Sequence, residues 1–372
     1  MTLAARLPEY PWDGLAPIAE KARAFPGGAV DLSIGTPVDP VPTVIQDALV
    51  AAANAPGYPL TAGTPELRSA AAGWLARSLD VHVDPATILP VIGTKQFIAW
   101  LPTYLGLGAA DTVIYPTLAY PTYDMGAQLC GAGSVAADAA DGGLASAPPG
   151  TKLLWLNSPS NPTGRVLPAS AMRDAVAWGR SHGAIVASDE CYITLDWDAS
   201  PVSVLHESVT DGSLDGLLMV YSLSKRSNLA GYRAGFVTGD PSLVKDLLLV
   251  GRQSGMIVPF PVQQAMIAAL NDDAHAVEQK ARYAARREVL AAGLTAAGFK
   301  IEHSNAGLYL WATKDGLDCW AACELLASEC GILVGPGCFY GPEGNNYIRV
   351  ALTATDERVA AGGERLAAFA AR

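Results

Sequence analysis

Between about residue 85 and residue 240 the chain alternates short apolar runs with longer helix-like stretches, and this alternation constrains its fold more than any other feature. The runs are Ile88–Ile92, Thr112–Tyr115, Leu153–Leu156, Ala184–Ser188, Leu217–Ser222 and Ala234–Thr238, with helical patterns such as Ser170–His182 between them. A strand, a helix and a second strand in succession favour parallel pairing, because the helix carries the chain back across one face of the sheet. The expected fold class is therefore α/β, with a mainly parallel sheet covered on both faces. Ligands then belong at the carboxyl ends of the strands.

The pattern changes near residue 275. His275–Ala297 reads as a long amphipathic helix, followed by a strand pair within Ile301–Ala312, a helix over Asp318–Cys330, a strand over Tyr347–Leu352 and a closing helix from Asp356. That is a smaller α+β unit. The N-terminal segment, with Pro8, Pro11 and Pro17, reads as an extended arm, and Asp31–Ile34 as a short strand joining the C-terminal unit. A chain of 372 residues exceeds the size of most single cores. The expected partition is an N-terminal arm and part of a small domain over 1–44, a large domain over 45–274, and the rest of the small domain over 275–372.

Composition removes several classes of function. Half of the residues are apolar and the net charge is −11, which suits a globular protein and opposes binding to nucleic-acid phosphates. The six cysteines form no Cys-x-x-Cys pair and no zinc-type cluster, so they read as buried thiols in a reducing compartment. Met1 to Leu15 carries no signal-peptide pattern, and no apolar run is long enough to span a bilayer. The expected location is the cytoplasm, with no nucleic-acid or membrane partner.

Chemistry gathers where the apolar runs end. Lys225 follows the run Leu217–Ser222, an odd place for a solvated ammonium but a good one for an amine that forms a Schiff base, since partial desolvation makes it nucleophilic. Ser222 and Arg233 bracket it with a hydroxyl and a guanidinium suited to a phosphate. Asp189 ends another apolar run, where a carboxylate is costly unless it meets a cation, and a protonated pyridine nitrogen is such a cation. Gly93-Thr94-Lys95 follows a third run and opens a helix, whose first amides bind phosphate readily. Arg349 lies inside the apolar strand Tyr347–Leu352, and its fork suits a carboxylate.

These elements, with Asn157-Ser158-Pro159-Ser160-Asn161-Pro162-Thr163-Gly164 and Asp189-Glu190-Cys191-Tyr192, resemble the signature of the fold-type I, class I/II aminotransferases, which depend on pyridoxal 5'-phosphate. The likeness runs from about residue 30 to the C-terminus. It implies that Lys225 holds the cofactor and then shuttles the substrate proton, that Asp189 pairs with the pyridine nitrogen, and that Asn161 and Tyr192 bond the ring oxygen. It also implies that Tyr120, in Pro116–Tyr123, stacks on the ring, with Tyr123 structural. Gly93, Thr94, Lys95, Ser222, Ser224 and Arg233 would receive the phosphate. Arg349, helped by the backbone at Gly35 and by Asn161, would bind the substrate carboxylate. Tyr58 would reach the phosphate of a neighbouring subunit, which implies a homodimer with shared sites.

The implied reaction is ping-pong transamination between an amino acid and a 2-oxo acid. Arg6–Asp13, Val30–Pro40 and Ala55–Pro59 most resemble bacterial N-succinyldiaminopimelate aminotransferases of lysine biosynthesis, which exchange with glutamate and 2-oxoglutarate. A distal carboxylate then needs another cation, and Lys95, Arg226 and Arg252 stand as candidates. An aminotransferase for aromatic amino acids or kynurenine shares every motif above, and a cystathionine β-lyase shares Lys225, Asp189 and Arg349. A regulator on this fold would need a DNA-binding domain for which few residues precede the resemblance.

Overall fold

The computed structural model describes residues 3–372, so the first two residues of the expected arm lie outside the described residues. A two-residue strand, β1 (Val30–Asp31), precedes seven strands of one sheet: β2 (Leu89–Ile92), β3 (Thr112–Tyr115), β4 (Gly133–Ala136), β5 (Thr151–Asn157), β6 (Ile185–Asp189), β7 (Leu217–Ser222) and β8 (Ala234–Gly239). Their spatial order is β2-β8-β7-β6-β5-β3-β4. Strands β4, β3, β5, β6 and β7 run parallel, and β8 is antiparallel to both β7 and β2. Five strands therefore end at one edge of the sheet, where the loops that follow them collect.

Strand β7 shows why the sheet is central. All six of its residues are buried. Leu217, Met219 and Tyr221 enter one apolar core, while Leu218 and Val220 enter the other. Period-two alternation between two covered faces gives an unbroken apolar run. Edge strand β4 gave no such signal, because its Gly-Ser-Val-Ala is short and half exposed.

The smaller unit contains β9 (Lys300–Glu302), β10 (Tyr309–Thr313), β11 (Ile332–Leu333), β12 (Gly335–Pro336) and β13 (Tyr347–Ala351). Strands β12, β13, β10 and β9 form an antiparallel sheet in that order, while β1 pairs in parallel with β11. Its core combines Leu15, Ile18, Ala22, Val30 and Leu32 with residues from Tyr283 to Leu366. The first and last parts of the chain thus share one core. The helix Cys319–Cys330 starts on Asp318, whose side chain accepts from the Ala321 amide at 2.8 Å.

The expectation of an extended N-terminal arm is corrected. Short 3₁₀ turns at Leu3–Arg6 and Pro11–Leu15 lead into a helix, Ala16–Ala24, that buries Ile18 and Ala22. Pro11 and Pro17 occupy first-turn positions, where a missing amide costs no helical hydrogen bond. The strand expected over Asp31–Ile34 lies instead at Val30–Asp31, as β1. Among the described residues no helix is long and apolar enough to cross a membrane, and no group of His, Cys, Asp and Glu could hold a metal ion.

Candidate active site

A cavity of about 520 Å³ opens where the carboxyl ends of the large sheet meet the small unit. Its walls include Thr94, Lys95, Tyr120, Asn161, Asp189, Tyr192, Ser222, Ser224, Lys225, Arg233 and Arg349, so most of the residues singled out in the sequence converge.

At the floor, β6 delivers Asp189 and β7 delivers Lys225. The Asp189 carboxylate accepts from the Tyr123 hydroxyl at 2.8 Å and from the Cys191 amide at 3.2 Å. Both donors are neutral, and burial pushes its carboxyl above the ordinary aspartate value. A buried carboxylate with no cation of its own fits a protonated ring nitrogen. Burial likewise holds the Lys225 ammonium below its ordinary value, with the Arg349 and Arg233 charges adding to the effect. Its Nζ donates to the Gly35 carbonyl.

A phosphate-sized cradle lies beside the lysine. Gly93 has φ +71°, and a Cβ there would stand 2.2 Å from Nη2 of Arg233, so only glycine lets the guanidinium lie against the start of the helix Thr94–Tyr104. Arg233 donates to the Ala230 carbonyl at 2.9 Å. Ser222 Oγ accepts from the Ser224 amide at 3.1 Å and donates to Ser224 Oγ at 2.9 Å. Helix amides, two hydroxyls and a guanidinium make the donor set a phosphate monoester requires. With Asp189 and Lys225, this set fits pyridoxal phosphate.

The opposite wall comes from the small unit. On β13, Arg349 is buried and donates to Asn161 Oδ1 at 2.9 Å and to the Ser33 carbonyl at 2.8 Å, leaving its Nε without a partner. No carboxylate answers its charge in these bonds. Its guanidinium lies 4.0 Å from the Tyr309 ring centroid and 4.8 Å from that of Tyr340. Tyr309 also meets Tyr192, hydroxyl to hydroxyl, at 3.1 Å. A Cβ on Gly35 would fall 2.2 Å from the Tyr309 hydroxyl, which excludes a side chain there.

Other expected residues stand outside this cavity or at its rim. Tyr58 is 99% exposed and stays outside this cavity. Lys95 sits at the mouth, its ammonium 5.8 Å from the Tyr10 ring centroid. Arg226 is removed as a distal-carboxylate candidate: it is buried and donates to the Ala269 carbonyl at 2.6 Å and to Asp273 at 2.8 Å. Arg252 also lies outside the cavity lining.

Sequence reasoning missed two tyrosines and the arm. Tyr123, taken as structural, binds Asp189 from the first turn of the helix Thr122–Cys130, and its place in the loop-to-helix stretch after β3 was the available signal. Tyr309 had none, because its role depends on docking of the small unit. The arm residues Leu7–Trp12 line the mouth, with Tyr10 stacked on Trp12 at 5.4 Å and Trp12 packed on Phe339 at 5.1 Å.

Comparison with known proteins agrees with this geometry. The profile of the class I and II aminotransferases matches residues 28–366. The chain is 56% identical over 360 residues to the 4-dedimethylamino-4-oxo-anhydrotetracycline transaminase of Streptomyces rimosus, covering 97% of this chain and 99% of that one. An aminotransferase structure from Neisseria meningitidis is similar at TM-score 0.90 and 34% identity, over 99% of both chains. The N-succinyldiaminopimelate aminotransferase of Mycobacterium tuberculosis is similar at TM-score 0.87 and 25% identity, again over 99% of both. The chain belongs to the class I and II aminotransferases, a fold-type I family that works with pyridoxal phosphate on amino acids and oxo acids.

Proposed function

We propose that this aminotransferase exchanges the amino group of N-succinyl-L,L-2,6-diaminopimelate with 2-oxoglutarate and glutamate. The observation that carries the proposal is Lys95. Four cations line the cavity, and three have other work at its floor and inner wall: Lys225, Arg233 and Arg349. Lys95 lines the same cavity beside Tyr10, its ammonium 5.8 Å from that ring centroid, and is left over for the distal carboxylate of a long substrate anchored on Arg349.

The residue roles follow from the donor sets. Arg349 offers a bidentate fork to the α-carboxylate, steadied by Asn161 and the Ser33 carbonyl. Lys225 holds the cofactor and then, as a free amine of depressed basicity, moves the proton at the substrate α-carbon. Asp189 keeps the ring nitrogen protonated, held in place by Tyr123. Bound pyridoxal phosphate supplies the electron-accepting ring that stabilises the charge left on that carbon. Asn161 and Tyr192 would orient the ring oxygen, Tyr120 would cover one ring face, and Gly93, Thr94, Ser222, Ser224 and Arg233 would hold the phosphate, with Lys95, expected among them, given to the distal carboxylate instead. Tyr58, wholly exposed, would complete the phosphate site of a second subunit in a homodimer.

A second reading is favoured by the stacked Tyr10 and Trp12 at the mouth. They suit a flat polycyclic or aromatic substrate, in keeping with the name of the S. rimosus relative. The deciding test is a half-reaction on the loaded enzyme, following the visible cofactor absorbance after each amino donor. Rapid conversion by N-succinyl-L,L-diaminopimelate, reversed by 2-oxoglutarate, supports the proposal. Conversion by kynurenine or another aromatic amine alone would replace it with the second reading, and pyruvate released from cystathionine would indicate a lyase.

A further inference from the structure

The long helix Ala274–Ala296 turns polar side chains inward where an amphipathic helix ordinarily turns apolar ones. His275, Gln279, Tyr283 and Arg286 follow one another at steps of four, four and three residues, so they share one face, and all four are buried. None of them lines the cavity. Their partners are the two segments that frame it.

The first segment is the turn that follows the reactive lysine. His275 Nε2 meets Ser227 Oγ at 2.8 Å, with Asp272 on the other ring nitrogen at 2.9 Å. Gln279 Oε1 accepts from Asn228 Nδ2 at 2.9 Å, and the Tyr283 hydroxyl reaches the Lys225 carbonyl at 3.4 Å. The second segment runs from Ser33 to Pro40. Its carbonyls at Ser33 and Gly35 accept from Arg349 and Lys225. Its Asp39 is bound by Arg286 at 2.6 and 2.8 Å and by Gln279 Nε2 at 2.8 Å. Burial alone would raise the Asp39 carboxyl, yet the Arg286 and Gln279 bonds outweigh it and hold the group below its usual value.

Among the described residues Gln279 is the one side chain on this face that bonds to both segments, and Asn228 adds a direct tie through its Nδ2 to the Pro40 carbonyl at 3.2 Å. We infer that Gln279 is a positioning residue, whose amide ties the Lys225 turn to the Ser33–Pro40 segment and so sets how the lysine amine stands relative to the substrate-carboxylate site. An apolar face of equal volume would stabilise the fold at least as well. What the polar face adds is direction: each bond fixes one segment against the other at a defined distance. The inference rests on the assignment of Lys225 as the cofactor-bearing lysine.

The test uses the holoenzyme and three variants: Gln279→Leu, Asn228→Gly, which keeps the positive φ of +56° accessible, and the double variant. The readouts are the pH titration of the bound cofactor's visible absorbance, the split between kcat and donor KM, and Tm. Each single variant is expected to move the titration midpoint by about half a pH unit and raise donor KM by about threefold, as for residues in one bonded network. The double variant should shift the midpoint no further than Asn228→Gly alone, because that variant breaks both the Gln279 link and the direct Asn228–Pro40 bond. A lowered Tm with wild-type midpoint and kinetics would overturn the inference, as would additive shifts. If Gln279→Leu does not fold, the unbranched Gln279→Met decides in its place. Lys225→Ala is the separate control: an unchanged visible band there would remove the lysine assignment itself rather than the role of Gln279.

Discussion

The two ends of the cavity are built differently. The floor comes from the carboxyl ends of neighbouring strands in one sheet, with β6 supplying Asp189 and β7 leading to Lys225. The mouth and inner wall come from segments far apart in sequence: Leu7–Trp12, Ile34–Thr36, Lys95, Tyr309 and Arg349. Ladder hydrogen bonds hold the floor in register, whereas the wall, Lys95 on the helix after β2 apart, depends on how the small unit docks. That difference predicts reaction type at the rigid end and selectivity at the assembled one, a division that variants at each end can break or sharpen.

The largest effect is expected at the floor. Asp189→Ala should lower kcat by about a thousandfold, comparable to removing a preorganised charge from an active site, while the cofactor still binds through the phosphate cradle. Near-normal turnover would dissolve the distinction between the ends. At the inner wall, Arg349→Ala should cost about 3 kcal/mol in kcat/KM, as for truncating one side of a buried charge pair. Absorbance of the bound cofactor should be retained, and its loss would move Arg349 to the floor.

Glu190, next to Asp189, tests the rigidity of the floor without touching the chemistry. It is fully buried, and burial pushes its carboxyl up to about 7 from an ordinary value of 4.5. Its Oε1 accepts from the Val204 amide at 2.7 Å, while Oε2 has no partner. Between those two values the folded state keeps a proton that the unfolded state has lost. Stability from this group is therefore full below about pH 4.5 and is lost as pH rises toward and through about 7. Glu190→Gln should remove about 2 to 3 kcal/mol of that decline, read as a flatter dependence of denaturant midpoint on pH. Parallel profiles for the two proteins would refute it.

The smallest effect is expected at the mouth. Lys95→Ala should cost about 1 kcal/mol, roughly fivefold in KM, for a donor with a distal carboxylate, because the pair is exposed. A donor without that carboxylate should be unaffected. Equal losses for both donors would mean that Lys95 does not read the distal group.

The same division explains what was legible in the sequence. Strand β7 and Lys225, or β6 and Asp189, lie within a few residues of one another, so a local apolar run both forecasts the strand and exposes the odd charge that ends it. Thr94 and Arg233 were legible from their places beside β2 and β8, whereas Asn161 was legible only through the motif resemblance. Tyr309 was not, since it becomes part of the site only when β10 docks against the loop carrying Tyr192. Arg226 and Lys95 looked equivalent as free cations until folding gave Arg226 the carbonyl of Ala269 and the carboxylate of Asp273. The prolines near the N-terminus suggested an extended arm because proline opposes helix interiors, but the first turn of a helix tolerates it.

Trp12 has a thermodynamic consequence of its own. Its ring bridges Tyr10 at the cavity mouth and Phe339 in the small unit, so a ligand that rested on that aromatic surface would share the contacts that seat the arm. Ligand affinity and arm seating are then one linked equilibrium. Any change that lowers the seated fraction weakens apparent affinity by the same factor, with every residue that touches the ligand left intact.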